Sequence, residues 1–158
     1  MGRNVLISIL VLIGLILFAS IALGITSHYT TPKLGLDHGK LKACPGNPNC
    51  VCSESYAETD ASHQIPPLKL SGQNIEASWK LLSQAVIDQG GTIIIESEDY
   101  LHAEFTSSIF RFVDDLEARL DKTSGNIHLR SASRVGHSDF GANRKRVEAI
   151  RSKLEITQ

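Results

Sequence analysis

Residues 127–151, IHLRSASRVGHSDFGANRKRVEAIR, gather Arg130, Arg134, Arg144, Arg146 and Arg151 around Ser131, Ser133, Asp139 and Asn143. A guanidinium offers five N–H donors in a rigid fork suited to carboxylates and phosphates. A helix start near Asp139 and Asn143 would add unpaired backbone N–H groups, which also favour an anion. The same donors could instead tie the fold together through Asp114, Asp115 and Asp139. The candidate cluster, ligand-binding or structural, is therefore Asp114, Asp115, Arg130, Ser131, Ser133, Arg134, Asp139, Asn143 and Arg144.

Asp114 is the most unusual member. In residues 110–120, Phe112, Leu116, Ala118 and Leu120 share a phase with it, while Arg111, Asp115, Glu117 and Arg119 take the other. A carboxylate on an apolar face must be hydrogen-bonded or paired with a cation, or it takes up a proton. Arg130, Arg134 and Arg144 are the candidate cations. The alternative to a structural pair is an enzyme, a small-molecule hydrolase for instance. Asp114 would then be its acid or base, and Arg130 and Arg134 would grip an anionic substrate. Ser133, His137 and Asp139 have the residue types of a nucleophilic triad. Triad members converge from separate segments and need an oxyanion hole, so no catalytic residue is assigned. His102 and His128, with Glu104 and Glu117, fall on the wet phases of neighbouring strands and are expected to be solvated rather than to hold a metal. No phosphate loop or cofactor motif is present.

The elements that must position these groups follow from periodicity. Asn74 is a good N-cap with Glu76 in the first turn. Ile75, Trp79, Leu82 and Val86 make one apolar helix face, which Gly90-Gly91 terminates. Residues 92–96 are β-branched, and Asp99 supports a tight hairpin. Beyond it Leu101, Ala103 and Phe105 alternate with His102, Glu104 and Thr106, the period of a sheet with one wet face. Residues 110–120 give a third strand and Ser124-Gly125 the next turn. In a fourth strand Ile127 and Leu129 share a phase with Ser131 and Ser133, opposite His128, Arg130 and Arg134. A last helix, from Gly141 or Asn143 to Glu155, buries Val147, Ile150 and Leu154 and takes Ser138 or Asp139 as its cap. The apolar Ile109-Phe110 turn could touch membrane or a partner, with burial in its own core the first expectation.

Residues 5–25 form an uncharged run of 21 residues, broken only by Ser8, Gly14, Ser20 and Gly24. As a helix rising ~1.5 Å per residue, it crosses a hydrocarbon core of roughly 30 Å. A cleavable signal is the rival reading, with Ala22 and Gly24 as its small-residue site, but the apolar core of such signals runs about 7–15 residues. An uncleaved anchor is the expectation. Arg3 lies before the run and Lys33, Lys40 and Lys42 after it, so the positive-inside count does not orient it. Cys44, Cys50 and Cys52 lie within nine residues. A Cys44–Cys50 bridge would close a tight loop and imply an oxidising compartment, with Cys52 an alternative or intermolecular partner and free thiols the bland reading. The spacing matches no common zinc finger.

Net charge is −1, but residues 54–121 carry 13 acidic and 4 basic side chains against 3 acidic and 8 basic in residues 122–158. A basic tail can signal nucleic acid. Here the basic segment is amphipathic and has an acidic partner in the same domain, so internal pairing is expected and no nucleic acid.

Cys44-Pro45 through Pro48-Asn49-Cys50-Val51, Ile65-Pro66-Pro67, residues 100–105 (YLHAEF), residues 110–115 (FRFVDD) and residues 127–146 occur in order at plausible spacing. In these motifs the chain resembles the bacterial and plastid family known as domain of unknown function 1499, over about residues 43–155. The resemblance implies an N-terminal membrane segment or export signal and no established activity. The family pattern has Ser where this chain has Cys52, which implies Cys44–Cys50 as the bridge and Cys52 as a free thiol. It often has another residue at His137, which weakens a catalytic role there.

The expected architecture is α+β: helix, four-stranded antiparallel sheet, helix, preceded by a disulfide-pinned extended arm and an N-terminal transmembrane helix. Residues 1–4 would be cytoplasmic, 5–25 the anchor, 26–42 a polar linker and 43–157 the domain. The expected role is a membrane-anchored binding or assembly module, with an envelope protein or a small anion as partner. It would make a single pass of the cell inner membrane with the domain on the periplasmic side. The alternative is secretion after cleavage near Gly24.

Overall fold

The computed structural model describes residues 2–54, 60–70 and 75–156. Helix α1 (Gly2–Tyr29) carries the apolar run and continues past it for one turn. A hairpin follows, β1 (Leu36–Asp37) with β2 (Lys40–Leu41), its two-residue turn built from His38 (φ 48°) and Gly39 (φ 76°). The domain then adds β3 (Cys50–Cys52), a 3-10 turn (Ala61–His63) and β4 (Leu68–Lys69). Helix α2 (Ile75–Asp88), β5 (Thr92–Glu96), β6 (Tyr100–Thr106), β7 (Val113–Asp121), β8 (Asn126–Ser133) and α3 (Ala142–Ile156) complete it.

The main sheet is antiparallel, in the order β3-β8-β7-β6-β5, with β4 also on β8. The α+β class holds, but the sheet has six strands rather than four, and β1–β2 forms a separate pair. The physical reason is length. With three and two residues, β3 and β4 are too short to show a period of two, and they are strands because they share the free edge of β8. The third expected strand also starts later, at Val113 rather than Phe110. Ser107 N donates to Phe112 O (2.8 Å), Phe112 N donates to Ser107 Oγ (2.9 Å), and Arg111 adopts φ 60°, which together make residues 107–112 a closed loop.

The apolar phases of β6, β7 and β8 face α2 and α3. Leu101, Ala103, Leu116, Ala118, Ile127 and Leu129 are all fully buried, against Trp79, Leu82 and Val86 of α2 and Val147, Ile150 and Leu154 of α3. Removing a large apolar side chain from such a core costs about 2–5 kcal/mol. Ile75, expected on the same face, is exposed at the start of α2, and the expected cap Asn74 lies outside the described residues. At the other end Gly90 takes φ 87° and Gly91 N donates to Val86 O (3.0 Å), the left-handed stop that the Gly-Gly pair provides. A side chain at Gly91 would meet the Phe105 ring at 2.7 Å.

The opposite face of the sheet is not wet. Residues 30–45 lie across it, so the stretch expected to be a linker holds structure: Leu41 is fully buried, and Gly35 N donates to Glu117 Oε1 (2.7 Å). A Cys44–Cys50 disulfide pins the arm, with Cα atoms 5.6 Å apart, and leaves Cys52 as a buried free thiol.

Candidate functional site

Alternation along β7 and β8 sends the candidate cluster to two sides of the sheet. On the helix side, Asp114 is paired with Arg146, whose Nη2 donates to its Oδ2 (2.7 Å); none of Arg130, Arg134 or Arg144 reaches it. Arg146 Nη1 also donates to Ser131 Oγ (2.9 Å) and Asn143 Oδ1 (2.5 Å), and its guanidinium lies 4.4 Å from the centre of the Phe105 ring. Asn143 Nδ2 donates to Asn49 O (2.9 Å) and Ser133 Oγ (3.0 Å). Asp139, not Ser138, caps α3, accepting from Gly141 N (3.0 Å) and Asn143 N (2.7 Å). Arg146 and Asn143 thus spend their hydrogen bonds on Asp114, Ser131, Ser133, each other and the Asn49 backbone.

Arg144 stands apart. Its Nη2 donates to Ser62 O (2.7 Å) and Gln64 O (3.0 Å), while Arg151 donates to Pro66 O (2.5 Å) and Pro67 O (3.1 Å). Two arginines of the basic tail thus hold α3 to the extended segment at residues 62–67.

The other face carries the denser charge. His102 and Glu117 were expected on a solvated surface, yet they and the cluster member Asp115 are each at most 3 % exposed. Burying charge this completely requires partners for every oxygen. Asp115 accepts from His102 Nε2 (2.8 Å), Arg134 Nε (2.9 Å) and Arg134 Nη2 (2.7 Å), and Arg134 Nη2 also meets Glu104. Burial pushes the Asp115 carboxyl up, but the hydrogen bonds from Arg134 and His102 outweigh it and hold the group below the usual carboxylate range. Glu117 accepts from Arg130 Nη1 (2.9 Å), Tyr100 Oη (2.8 Å) and Gly35 N. Burial, and then the Glu117 carboxylate, raise the Tyr100 phenol, which therefore stays a donor. Glu54, also buried, accepts from Arg119 Nε (2.8 Å) and Leu41 N (3.3 Å), with His128 Nδ1 at 3.5 Å.

Between this layer and the arm lies a cavity of about 340 Å³. Its rim is Lys33 and Lys42 and its floor Asp115, Arg130 and Arg134, so cations outnumber carboxylates four to one. Arg130 is 7 % exposed, and its Nε is, among the described residues, a buried side-chain donor with no acceptor. A larger groove of about 720 Å³, beside Trp79 and the β5–β6 turn, holds the pairs Glu76–Lys80 and Glu98–Lys122 and no such orphan.

His102, Glu104 and Asp115 place ligand atoms within 4.8 Å of one another, a spacing that would suit a metal. The Arg134 guanidinium already sits between the two carboxylates as their cation. Among the described residues no hydrogen bond joins His137 to Ser133 or Asp139, and Ser133 is engaged by Asn143. The sheet also separates Asp114 from Arg130 and Arg134, so a single cleft cannot use all three.

Lys33, Lys42, Glu54 and Tyr100 were missing from the sequence-derived cluster, as was Arg146 as the partner of Asp114. Tyr100, His102 and Glu104 do share a phase facing Asp115, Glu117 and Arg119, and that alternation was the available signal. What hid the site is that its cover comes from a distant, mostly polar stretch.

A family model described as a protein of unknown function, DUF1499, matches residues 40–154. No curated protein and no solved structure matches the chain.

Proposed function

The chain belongs to the DUF1499 family of proteins of unknown function, and from that premise, which supplies no activity, we propose a membrane-anchored module that binds a small anion between its arm and its sheet. The observation that carries this is Arg130, buried on the floor of the cavity with an unused Nε donor and with Lys33, Lys42 and Arg134 around the same space. An orphaned buried donor costs about 1–3 kcal/mol, and the charges of Lys33, Lys42, Arg130 and Arg134 around the cavity would attract an anion. Binding rather than catalysis is favoured because Asp115 and Glu117 have their oxygens filled by Arg134, His102, Arg130, Tyr100 and the arm.

Helix α1 is long and apolar enough to span a bilayer, and in this proposal it is an uncleaved inner-membrane anchor. The Cys44–Cys50 disulfide supports a domain on the periplasmic side, with residues 1–4 in the cytoplasm.

Native mass spectrometry of the full-length chain, extracted gently from its own membrane, tests the reading. We expect an added mass that disappears on denaturation and is lost in Lys33→Met/Lys42→Met, a variant that leaves the buried pairs intact. Dissolved anions and lipid headgroups share the required chemistry, and the added mass tells them apart. A bare chain in both spectra would sink the proposal. Retention of a second protein would instead favour assembly with an envelope protein. The open edge strand β5, where Ile94 and Ile95 are about half exposed, is the observation that favours that second reading.

A further inference from the structure

Register puts two loops at one end of the sheet. Asp114 pairs with Ser133 and Arg134 N donates to Val113 O (3.2 Å), so residues 107–112 enter β7 where residues 134–141 leave β8. Each loop turns one large apolar side chain outward: Ile109 is 79 % exposed and Phe140 92 %, although Ile109 was expected in the core. Neither is a loose tip. The first loop is closed by its Ser107–Phe112 hydrogen bonds, and in the second Ser138 Oγ accepts from Phe140 N (3.3 Å) beside the Asp139 cap.

The last turns of α1 seat against this same end. Gly24 and Ser27 are the buried residues of α1, and a Cβ at Gly24 would fall 1.8 Å from Phe110 O. Ser27 Oγ donates to Gly24 O (2.6 Å) and accepts from Val113 N (3.1 Å). The apolar run ends at Ile25, so the contact with the 107–112 loop lies at the depth where the hydrocarbon ends. Tyr29 and Arg111, both exposed, stand at that level, as amphipathic and cationic side chains do at a membrane interface.

We propose that this end of the domain rests in the leaflet itself, with Ile109 and Phe140 inserted among the lipid chains. The occupant is lipid because the spanning helix is packed on the patch and brings the bilayer to it. The domain is therefore held in one orientation by three points, α1 and the two loops, rather than tethered by a linker. The inference rests on α1 being an uncleaved anchor.

The test uses the full-length chain with Cys52→Ser, reconstituted in phosphatidylethanolamine/phosphatidylglycerol vesicles. Nitroxide labels are placed through Ile109→Cys, Phe140→Cys or, at the opposite end of the sheet, Ser124→Cys. Relaxation by oxygen, which concentrates in lipid, is compared with relaxation by a water-soluble nickel chelate. We expect the oxygen-to-nickel ratio at positions 109 and 140 to exceed that at 124 at least tenfold. Equal ratios at all three, in a chain whose mass retains Met1, would overturn the leaflet contact and leave the anchor standing. A mass showing cleavage near Gly24 would overturn both.

Discussion

The guanidinium of Arg134 closes a fork on the carboxylate of Asp115, with Nε 2.9 Å from Oδ2 and Nη2 2.7 Å from Oδ1. The pair crosses from β8 to β7 on the covered face, and His102 reaches the same carboxylate from β6. Three strands are therefore joined through one buried anion. Carboxylate and hydrogen-bond contacts raise the already high pKa of Arg134 further, so its charge is fixed at any working pH.

Replacing Arg134 tests whether the fork or only its charge matters. Arg134→Lys keeps the cation but cannot make two parallel bonds, and should lower unfolding free energy by about 1.5–3 kcal/mol. Arg134→Met leaves Asp115 and Glu104 without their cation and should cost about 3–5 kcal/mol. Urea unfolding of the three proteins gives the order directly; equal midpoints for Lys and wild type would mean that charge alone suffices.

Asp115 also sets a pH dependence. Its carboxyl lies below the ordinary value of 3.8 in the folded chain, so near that pH the unfolded chain binds more protons. Stability from this group is complete above the unfolded value and is lost as pH falls through the folded one. Urea midpoints between about pH 2 and 6 should thus fall toward acid, and less steeply in Asp115→Asn than in wild type. An unchanged slope in the variant would assign the acid sensitivity to other carboxylates.

The faces of this sheet were readable from residue types, and its covering was not. Leu101, Ala103 and Phe105, then Leu116, Ala118 and Leu120, then Ile127 and Leu129, point to the helices as a period of two requires. The same phases divide Asp114 and Ser131 from Asp115 and Arg130, so the split of the polar cluster was present in the alternation. The partner of Asp114 was out of reach because it depends on how α3 is turned about its axis, which brings Arg146 rather than Arg144 inward. The buried layer of Glu117, Tyr100 and Arg130 was out of reach for another reason. Its cover is held by Gly35 N and a lone apolar residue, Leu41, and neither has a periodic signature.

Cys52 should behave as an inert thiol. Burial raises it to about 11, although the fold also brings Arg130 near. Native protein at pH 8 should resist iodoacetamide, take one label when unfolded without reductant and three when unfolded with it. Because the folded value is raised above the ordinary 9.0, this thiol's contribution to stability is intact below pH 9.0 and declines as pH rises toward about 11. Cys52→Ser should flatten that alkaline decline. Rapid labelling of the native chain would mean that β3 opens readily.

Val113 N begins β7 and donates to Ser27 Oγ, an acceptor 86 residues away in sequence that is held by its own bond to Gly24 O. Ser27→Ala removes that acceptor from a buried amide, which costs about 1–3 kcal/mol locally. Amide exchange at Val113, measured on the full chain in detergent or nanodiscs, should then quicken by roughly tenfold while Leu116 and Leu129 in the sheet centre stay protected. Gly24→Val acts on the other side of the contact, since its Cβ alone would overlap Phe110 O. It should speed exchange across residues 107–113 as a block, because the helix must lift off the loop rather than lose one bond. If both variants leave Val113 as protected as in wild type, α1 does not rest on β7, and the domain is joined to its helix by the chain alone.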